Sequence, residues 1–208
     1  MWEFKEENLK EQILPNMAIK ESGCYKTKII RAELWDSEKN KSRALVLTFE
    51  DLETYKRARV AFYYENKNGE NNEFITKKLN QLEYLVNVHR DHLGIVKDEE
   101  GKTLIKAYEN KKIGLFLLYR GVREVVNNET GEVKHFDDYD VKGFFDIETL
   151  LTTAELTGEL GLEDSVYNIW KRNFEVINKI NEKKEAEKED TVVENTKDET
   201  EVDENFPF

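Results

Sequence analysis

The sequence predicts a mainly β protein: a five-stranded barrel with one helix between the third and fourth strands. Three observations support this class. Three segments rich in β-branched and aromatic residues occur before residue 65, an amphipathic helical repeat follows them, and a long hairpin pattern follows that helix. A second helical repeat and an acidic end come after the hairpin, so we expect a helical extension and a disordered tail beyond the barrel.

The first three strands are predicted over Cys24–Leu34, Arg43–Glu50 and Tyr55–Tyr64, separated by charged turns of which the first contains an Asn. The period then changes from two to about 3.6. Apolar residues recur at steps of four, three and four, which predicts a helix over Asn72–Val88. The apolar positions that carry this repeat are Ile75, Leu79, Leu82 and Val86.

The second half of the barrel is predicted to be a hairpin. Residues 113–126 and 132–145 alternate as strands do, and the turn signal Asn127–Gly131 lies between them. Residues 89–102 are polar and contain two glycines, so we predict a loop there. Further along, a helix is expected from about Glu163 to Lys183, with one apolar face: Val166, Ile169, Trp170, Phe174, Ile177 and Ile180.

Composition limits the class of protein. The chain has 208 residues with 44 acids, 32 bases, a net charge of −12 and a single cysteine, Cys24. One cysteine excludes a disulfide framework and fits a reducing cytoplasm, where we expect this protein to be. No apolar run approaches the roughly 18 residues that a membrane span requires, and the N-terminus lacks a signal-peptide pattern, so no membrane association is expected.

The charge is distributed unevenly. Residues 182–208 contain 11 acids and 4 bases, a net charge of −7, whereas residues 20–120 contain 16 acids and 20 bases, a net charge of +4. Because the middle is basic and the end acidic, the total charge does not exclude nucleic acid as a ligand. We expect an N-terminal arm (1–14), a barrel domain (15–147), a helical extension (148–183) and a disordered acidic tail (184–208).

The third strand carries the most informative candidate residues. Its even positions are apolar and are expected to lie inside, whereas Tyr55, Arg57, Arg59 and Tyr63 share the opposite face. A single-strand binder requires aromatic rings on which bases stack and cations that follow the phosphates. This alternation therefore predicts a nucleic-acid-binding face; the alternative is an amphipathic strand whose arginines only face water.

Seven further positions are candidates for nucleic-acid contact, and for the six cations among them the alternative is an ordinary solvated charge. Lys26 and Lys28 are expected to point outward together on the first strand. Trp35, at the end of that strand, would either stack a base or cap the barrel. The remaining candidates are Arg43, Lys111, Lys112 and Arg120.

A barrel of this order, with a helix between strands three and four, has the topology of the OB-fold. The pattern over residues 15–146 also resembles the OB-fold single-stranded-DNA-binding proteins encoded by bacteriophages. The residues that carry the resemblance are Gly23–Ile29 (GCYKTKI), Leu45–Glu50 (LVLTFE), the helix around Lys78–Val86 and the hairpin within Leu104–Phe145. It implies a protein that coats single strands in replication or recombination.

The acidic end supplies a second resemblance. Asp203 and Glu204 are followed by Asn205 and then by Phe206, Pro207 and Phe208. This tip is similar to that of bacterial SSB proteins, which end in acids followed by Ile-Pro-Phe, with Phe206 in place of the Ile. In that family the tip recruits replication and repair proteins, and the resemblance implies the same partners here. The alternative is a chance ending of a solvated tail.

Two other functions remain open. A protein-interaction adaptor of the replication machinery would use the barrel to bind another protein. A metal-dependent nuclease would need a carboxylate cluster such as Asp137, Asp138, Asp140, Asp146 and Glu148, although acids this dense are more typical of a solvated loop. The sequence contains no P-loop, dinucleotide fingerprint or nucleophile elbow. We therefore expect a non-enzymatic protein with no cofactor and no metal; a homo-oligomer is compatible with the sequence.

Overall fold

The computed structural model describes residues 18–37, 42–126, 131–159 and 164–197. This part of the chain is mainly β, as predicted, with one antiparallel seven-stranded sheet and three α-helices. Among these helices, none is both long and apolar enough to span a membrane. The predicted N-terminal arm (1–14) and the tip from Asp203 to Phe208 lie outside the described residues.

The strands of the sheet are β1 (Gly23–Ser37), β2 (Ser42–Asp51), β3 (Arg57–Glu65), β4 (Ile95–Lys97), β5 (Thr103–Ile105), β6 (Lys112–Val126) and β7 (Val133–Phe145). The sheet is built on β1, a long strand that bends and so pairs with β2, β5 and β6. The strand order is β3-β2-β1-β5-β4, and β6 also pairs with β1 while β7 pairs with β6. A bulge between Ile29 and Arg31 changes the direction of β1 between its two halves.

Helix α1 (Glu73–Val86) closes the main core from one end. Asn72 caps its N-terminus by accepting a hydrogen bond from the Ile75 amide, and Asn87 ends it in the left-handed conformation. Leu79, Leu82 and Val86 pack against the inner faces of the strands, as the apolar repeat predicts. The main core therefore lies between the curved sheet and α1.

Two further helices follow β7. Helix α2 (Thr153–Leu156) is a single turn with a capping box, and α3 (Val166–Lys197) is long. The apolar side of α3 covers part of the sheet surface opposite the main core, where Phe174 and Trp170 pack with Phe116 and Phe145. Gly114 of β6 allows the Phe145 ring to pack over this strand, because a Cβ at position 114 would overlap that ring.

Polar contacts fix α3 further along its length. The Asn178 side chain accepts a hydrogen bond from the Ser22 amide (3.2 Å) and donates one to the Ser22 carbonyl (2.8 Å). The start of β1 and the middle of α3 are thereby joined. Helix α3 therefore bounds the sheet surface on the side of β6 and β7.

The predicted strand count is wrong. The segment predicted as a loop over residues 89–102 contains β4, and β5 follows it, so the sheet has seven strands and not five. Each of these strands has three residues, which is too short for a period of two to be visible. They form a hairpin whose turn contains Gly101 at φ +78°.

The sequence also predicts a closed barrel, whereas the sheet in the structure is open. Within the described residues β3, β4 and β7 are edge strands, and β3 and β7 share no strand pairing. They approach through side chains, with the rings of Phe62 and Phe144 6.1 Å apart. The two strands therefore contact each other through side chains without a hydrogen-bonded seam.

The predicted end of the second helix is wrong. Helix α3 continues past Lys183 to Lys197. The added residues are rich in Glu and Lys, which have high intrinsic helix propensity, so the helix does not need a continuing apolar face. Only residues 198–208 of the predicted tail remain outside the described residues.

Candidate nucleic-acid interface

The outer face is the surface of β1, β2 and β3 opposite the main core, together with the residues of β4, β5 and β6 that continue its cross-strand rows. On β3 the predicted alternation is confirmed: Ala58, Val60 and Phe62 are buried in the core, and the side chains between them point outward. On β1 the bulge between Ile29 and Arg31 changes which positions face outward. Residues 24, 26 and 28 face outward before the bulge, and 31, 33 and 35 face outward after it.

Strand register arranges the outer face in cross-strand rows, because directly paired residues lie on the same side of a sheet. The first row is Lys112, Lys28, Glu50 and Arg57, on β6, β1, β2 and β3 respectively. The second row is Arg31, Thr48 and Arg59. The third is Val96, Leu104, Glu33, Val46 and Ala61, and the fourth is Trp35, Ala44 and Tyr63. From Arg57 to Tyr63 the face is roughly 20 Å long at the usual rise per residue.

In the first row one carboxylate holds two cations. Arg57 donates to Glu50 from Nε (3.0 Å) and Nη2 (2.8 Å), and the Lys28 ammonium lies 3.3 Å from the other carboxylate oxygen. Partial burial opposes ionisation of Glu50, but the Arg57 and Lys28 contacts outweigh it and lower its pKa. The row is an ordered ion triad with Lys112 beside it.

The second and third rows contain an equivalent triad. Glu33 accepts hydrogen bonds from Arg31 and from Arg59, the latter at 3.2 Å. Arg31 also donates to Asp98 (2.6 Å), in the turn between β4 and β5. Burial opposes ionisation of Glu33, but these guanidinium contacts lower its pKa. Within the part of the chain that the structure describes, Arg31 is thus bound by two acids, whereas Arg59 is bound by one and projects into solvent.

The fourth row is aromatic. Trp35 and Tyr63 meet edge to face with their ring centroids 5.9 Å apart, and they are 42% and 47% exposed. Ala44, between them, is fully buried. Two partly exposed rings above a small residue present flat apolar surface to solvent, on which a nucleobase can stack.

An apolar strip joins the aromatic row to the cationic rows. Val46 and Leu104 face outward but are only 5% and 7% exposed, and neither belongs to the main core. Val96, on the edge strand β4, continues the strip and is partly exposed. Their partner in the row, Glu33, lies beneath the arginines. The outer face therefore has an apolar floor with cations on one side and aromatic rings on the other.

The balance of charge on this surface is positive. The first three rows contain five cations against Glu33 and Glu50, and Asp98 adds one further negative charge at the edge. This leaves an excess of about two positive charges on a protein whose total is −12. The surface can attract phosphate at short range, although it is not an uninterrupted basic patch. Its cations are Lys28, Arg31, Arg57, Arg59 and Lys112.

The structure brings some predicted residues together and separates others. Lys26 is exposed on the outer face next to Lys28, and Lys111 precedes β6, where its carbonyl accepts from the Ile29 amide (2.8 Å). Arg43 lies beyond the aromatic row, bound to Asp36 (3.3 Å) and Glu65 (3.5 Å). The negative charges at that end make it unfavourable for phosphate.

Two predicted residues lie elsewhere. Tyr55 is not part of β3; it occupies the preceding turn at φ +58°, so its predicted place in the alternation is wrong. Arg120 lies on β6 past the start of β1, bound to Asp140 (2.9 Å), and lines a cleft of about 600 Å³ against α3. The length of β6 from Lys112 to Arg120 separates it from the cationic rows.

The carboxylate patch considered for a nuclease is divided among separate contacts. Asp140 is bound by Arg120, Lys142 and Lys78, and Asp137 accepts a hydrogen bond from the Tyr119 hydroxyl (3.1 Å). Asp146 accepts from the amides that follow it in a turn. Within the described ranges, no group of three or more His, Cys, Asp or Glu side chains is placed to hold a metal ion.

Sequence reasoning missed Arg31, Glu33, Glu50 and the floor residues Val46 and Leu104. The first two were missed because the bulge cannot be read from alternation. The charges of the acids were visible, but their role depends on register, which places each carboxylate between cations of neighbouring strands. No protein-family model matches this chain, and no curated protein matches it significantly.

Proposed function

We propose that this protein binds single-stranded DNA on its outer face and coats strands exposed in replication or recombination. One observation carries the proposal: cross-strand register places Lys28, Arg57 and Arg59 on the same surface as the exposed Trp35–Tyr63 pair. Base stacking on such rings contributes about 1–3 kcal/mol per base, and cations beside them neutralise phosphate.

The resemblance to OB-fold proteins gains support from the chain order. β1 is bent and shared between the two halves of the sheet, α1 follows β3, and the β6–β7 hairpin returns to pair with β1. We propose that the fold is an OB-fold variant in which the short hairpin β4–β5 is added and the seam between β3 and β7 lacks hydrogen bonds. OB-folds bind oligonucleotides on the outer surface of their second and third strands, which corresponds to the outer face.

The proposed mode of binding divides the outer face into two parts. Phosphates would lie near Arg57, Arg59 and Lys28, whereas bases would stack on Trp35 and Tyr63 and cover the apolar floor. Neither part reads the hydrogen-bonding edges of bases, so little sequence preference is expected. A duplex hides its base faces, so only single strands can use the aromatic row.

Partner recruitment through the tip is a separate part of the proposal. Its support is the sequence alone: acids at Asp203 and Glu204 beside Phe206 and Phe208 describe a ligand for a hydrophobic pocket with a basic rim. Replication or recombination proteins with such a pocket are the proposed partners.

The test is a titration of labelled oligothymidine and of a duplex of equal length, followed by fluorescence anisotropy at low salt. Single strands should bind at least about tenfold more tightly than duplex, a difference of about 1.4 kcal/mol. Trp35→Ala should weaken single-strand binding by about 1–3 kcal/mol. Tyr84→Ala is the matched control, because Tyr84 is an exposed aromatic residue on α1, away from the outer face. Equal affinity for both DNA forms would contradict the proposal.

A protein-interaction adaptor is the second candidate, and two observations favour it. The far end of the β6–β7 hairpin extends past β1 with exposed apolar side chains on both sides, namely Val122, Val125, Val126, Val133 and Phe136. In addition, Arg57 and Arg59 are already paired with acids. Absence of binding to either DNA form, with the protein folded, would favour the adaptor.

A further inference from the structure

The two carboxylates of the outer face occupy the positions that a phosphate would need. Arg57 directs Nε and Nη2 at a single oxygen of Glu50. That edge of a guanidinium is also one with which arginine binds phosphate oxygens. A nucleic-acid phosphate that approaches this edge must therefore compete with Glu50.

Glu33 has the same relation to Arg59. It bridges Arg31 and Arg59, so a single carboxylate occupies donors of two arginines on different strands. Both carboxylates are shielded from water: each side chain is 12% exposed, whereas the Arg57 and Arg59 side chains are 38% and 59% exposed. The cations cover the acids, and solvent reaches the cations first.

The arginines differ in how much donor capacity remains. Arg31 is bound by Glu33 through Nε and by Asp98 through Nη2, so two acids neutralise it. Among the described residues, Arg59 is bound only through Nη2, which leaves most of its donors for other acceptors. Arg57 is intermediate because both of its bonds reach one oxygen of Glu50. Arg59 is therefore the cation most available to phosphate, and Arg31 mainly anchors the β4–β5 turn.

We infer that Glu33 and Glu50 act as internal phosphate substitutes, which hold the arginines in the free protein and limit the affinity for single-stranded DNA. The inference rests on the proposed function. When a strand binds, its phosphates share or take the guanidinium donors, and each carboxylate keeps its second cation: Lys28 for Glu50 and Arg31 for Glu33. The acids remain close to the bound phosphates, and their repulsion weakens the complex. This arrangement keeps the complex readily reversible.

The test replaces each acid by its neutral isostere in the full chain. Glu33→Gln and Glu50→Gln should each tighten binding of labelled oligothymidine roughly three- to tenfold at low salt, the range expected when one charge is removed a few ångströms from phosphate in a partly screened site. Glu124→Gln removes the same charge from the β6–β7 hairpin, where Glu124 is exposed and pairs only with His135 (3.6 Å) among the described residues. Thermal unfolding of each variant establishes that it is folded.

A coupling measurement separates a local effect from a change in net charge. If Glu33 acts by occupying Arg59, then Glu33→Gln should tighten binding much less when Arg59→Ala is already present. Tightening by both acid variants beyond the control, with this coupling, supports the inference. Weaker binding by the Gln variants would overturn it, since the acids would then position the arginines. A change equal to that of Glu124→Gln would overturn it as well. If the unaltered chain binds no single strand, the proposed function itself fails.

Discussion

Removing the two arginines of β3 should separate the electrostatic part of DNA binding from the stacking part. The double substitution Arg57→Ala and Arg59→Ala deletes two cations that flank the apolar floor, while Trp35 and Tyr63 stay in place. Each arginine leaves a carboxylate that retains one cation: Glu50 keeps Lys28 at 3.3 Å, and Glu33 keeps Arg31. We therefore expect a folded variant with a less positive outer face.

The expected magnitude follows from the number of phosphates contacted. Loss of two cations lowers the charge excess of the outer face from about two to about zero. For single strands, each phosphate neutralised contributes about 0.7 to the slope of log K against log salt, so two lost contacts should flatten it by about 1.4. Tyr63→Ala should weaken binding by about 1–3 kcal/mol and leave the slope nearly unchanged, because stacking releases no counterions.

The assay is a series of anisotropy titrations with one oligothymidine at several salt concentrations. Lys77→Ala with Lys106→Ala is the matched control: both lysines lie outside the outer face, on α1 and on the turn after β5. The control should change the slope by much less than one contact. Equal slopes for the arginine and tyrosine variants would refute this division of roles, and equal effects of the arginine and lysine pairs would refute the location of the site.

Three other outcomes are expected. Phe174→Ala should lower the free energy of unfolding by about 3–5 kcal/mol in denaturant titrations, because Phe174 is 2% exposed between α3 and the sheet; exposed Val176→Ala should cost less than about 0.5 kcal/mol. Burial under α3 raises the pKa of Cys24 to about 11, so at pH 8 only about one thiol in a thousand is ionised and alkylation should be slow until the pH rises. Deletion of residues 198–208 removes five acids and no base, so it should tighten DNA binding at low salt. Deletion of Phe208 alone should abolish only partner binding. Unchanged DNA affinity after the larger deletion would exclude competition by the tail.

The sequence predicted those elements whose periodicity is long enough to be seen. Helix α1 and the β6–β7 hairpin lie within a few residues of their predicted bounds, and the buried positions of β3 follow its alternation. The three-residue strands β4 and β5 were missed because they are held by pairing with β1 and not by their own pattern. The lack of closure could not be predicted either, since it depends on how far β3 and β7 separate in space.

The sequence predicted only those features of the candidate site that depend on the alternation within a single strand. Arg57, Arg59 and Tyr63 were found because they alternate on β3, and the structure places them on the outer face. The sequence does not decide whether Trp35 stacks a base or caps the barrel, because the position of Trp35 relative to Lys28 depends on the bulge in β1. The pairing of each arginine with an acid is a property of register between strands, and no pattern within one strand contains it.

The distribution of charge also determines how an acidic protein can bind an acidic polymer. At 0.15 M salt the Debye length is about 8 Å, so a strand on the outer face experiences mainly the local cations there. At 0.01 M it is about 30 Å, and the −7 of residues 182–208 then contributes to the field at the same surface. Local attraction and long-range repulsion both grow as salt is removed. The plot of log K against log salt should therefore curve toward a plateau at low salt, and it should become straighter when residues 198–208 are deleted.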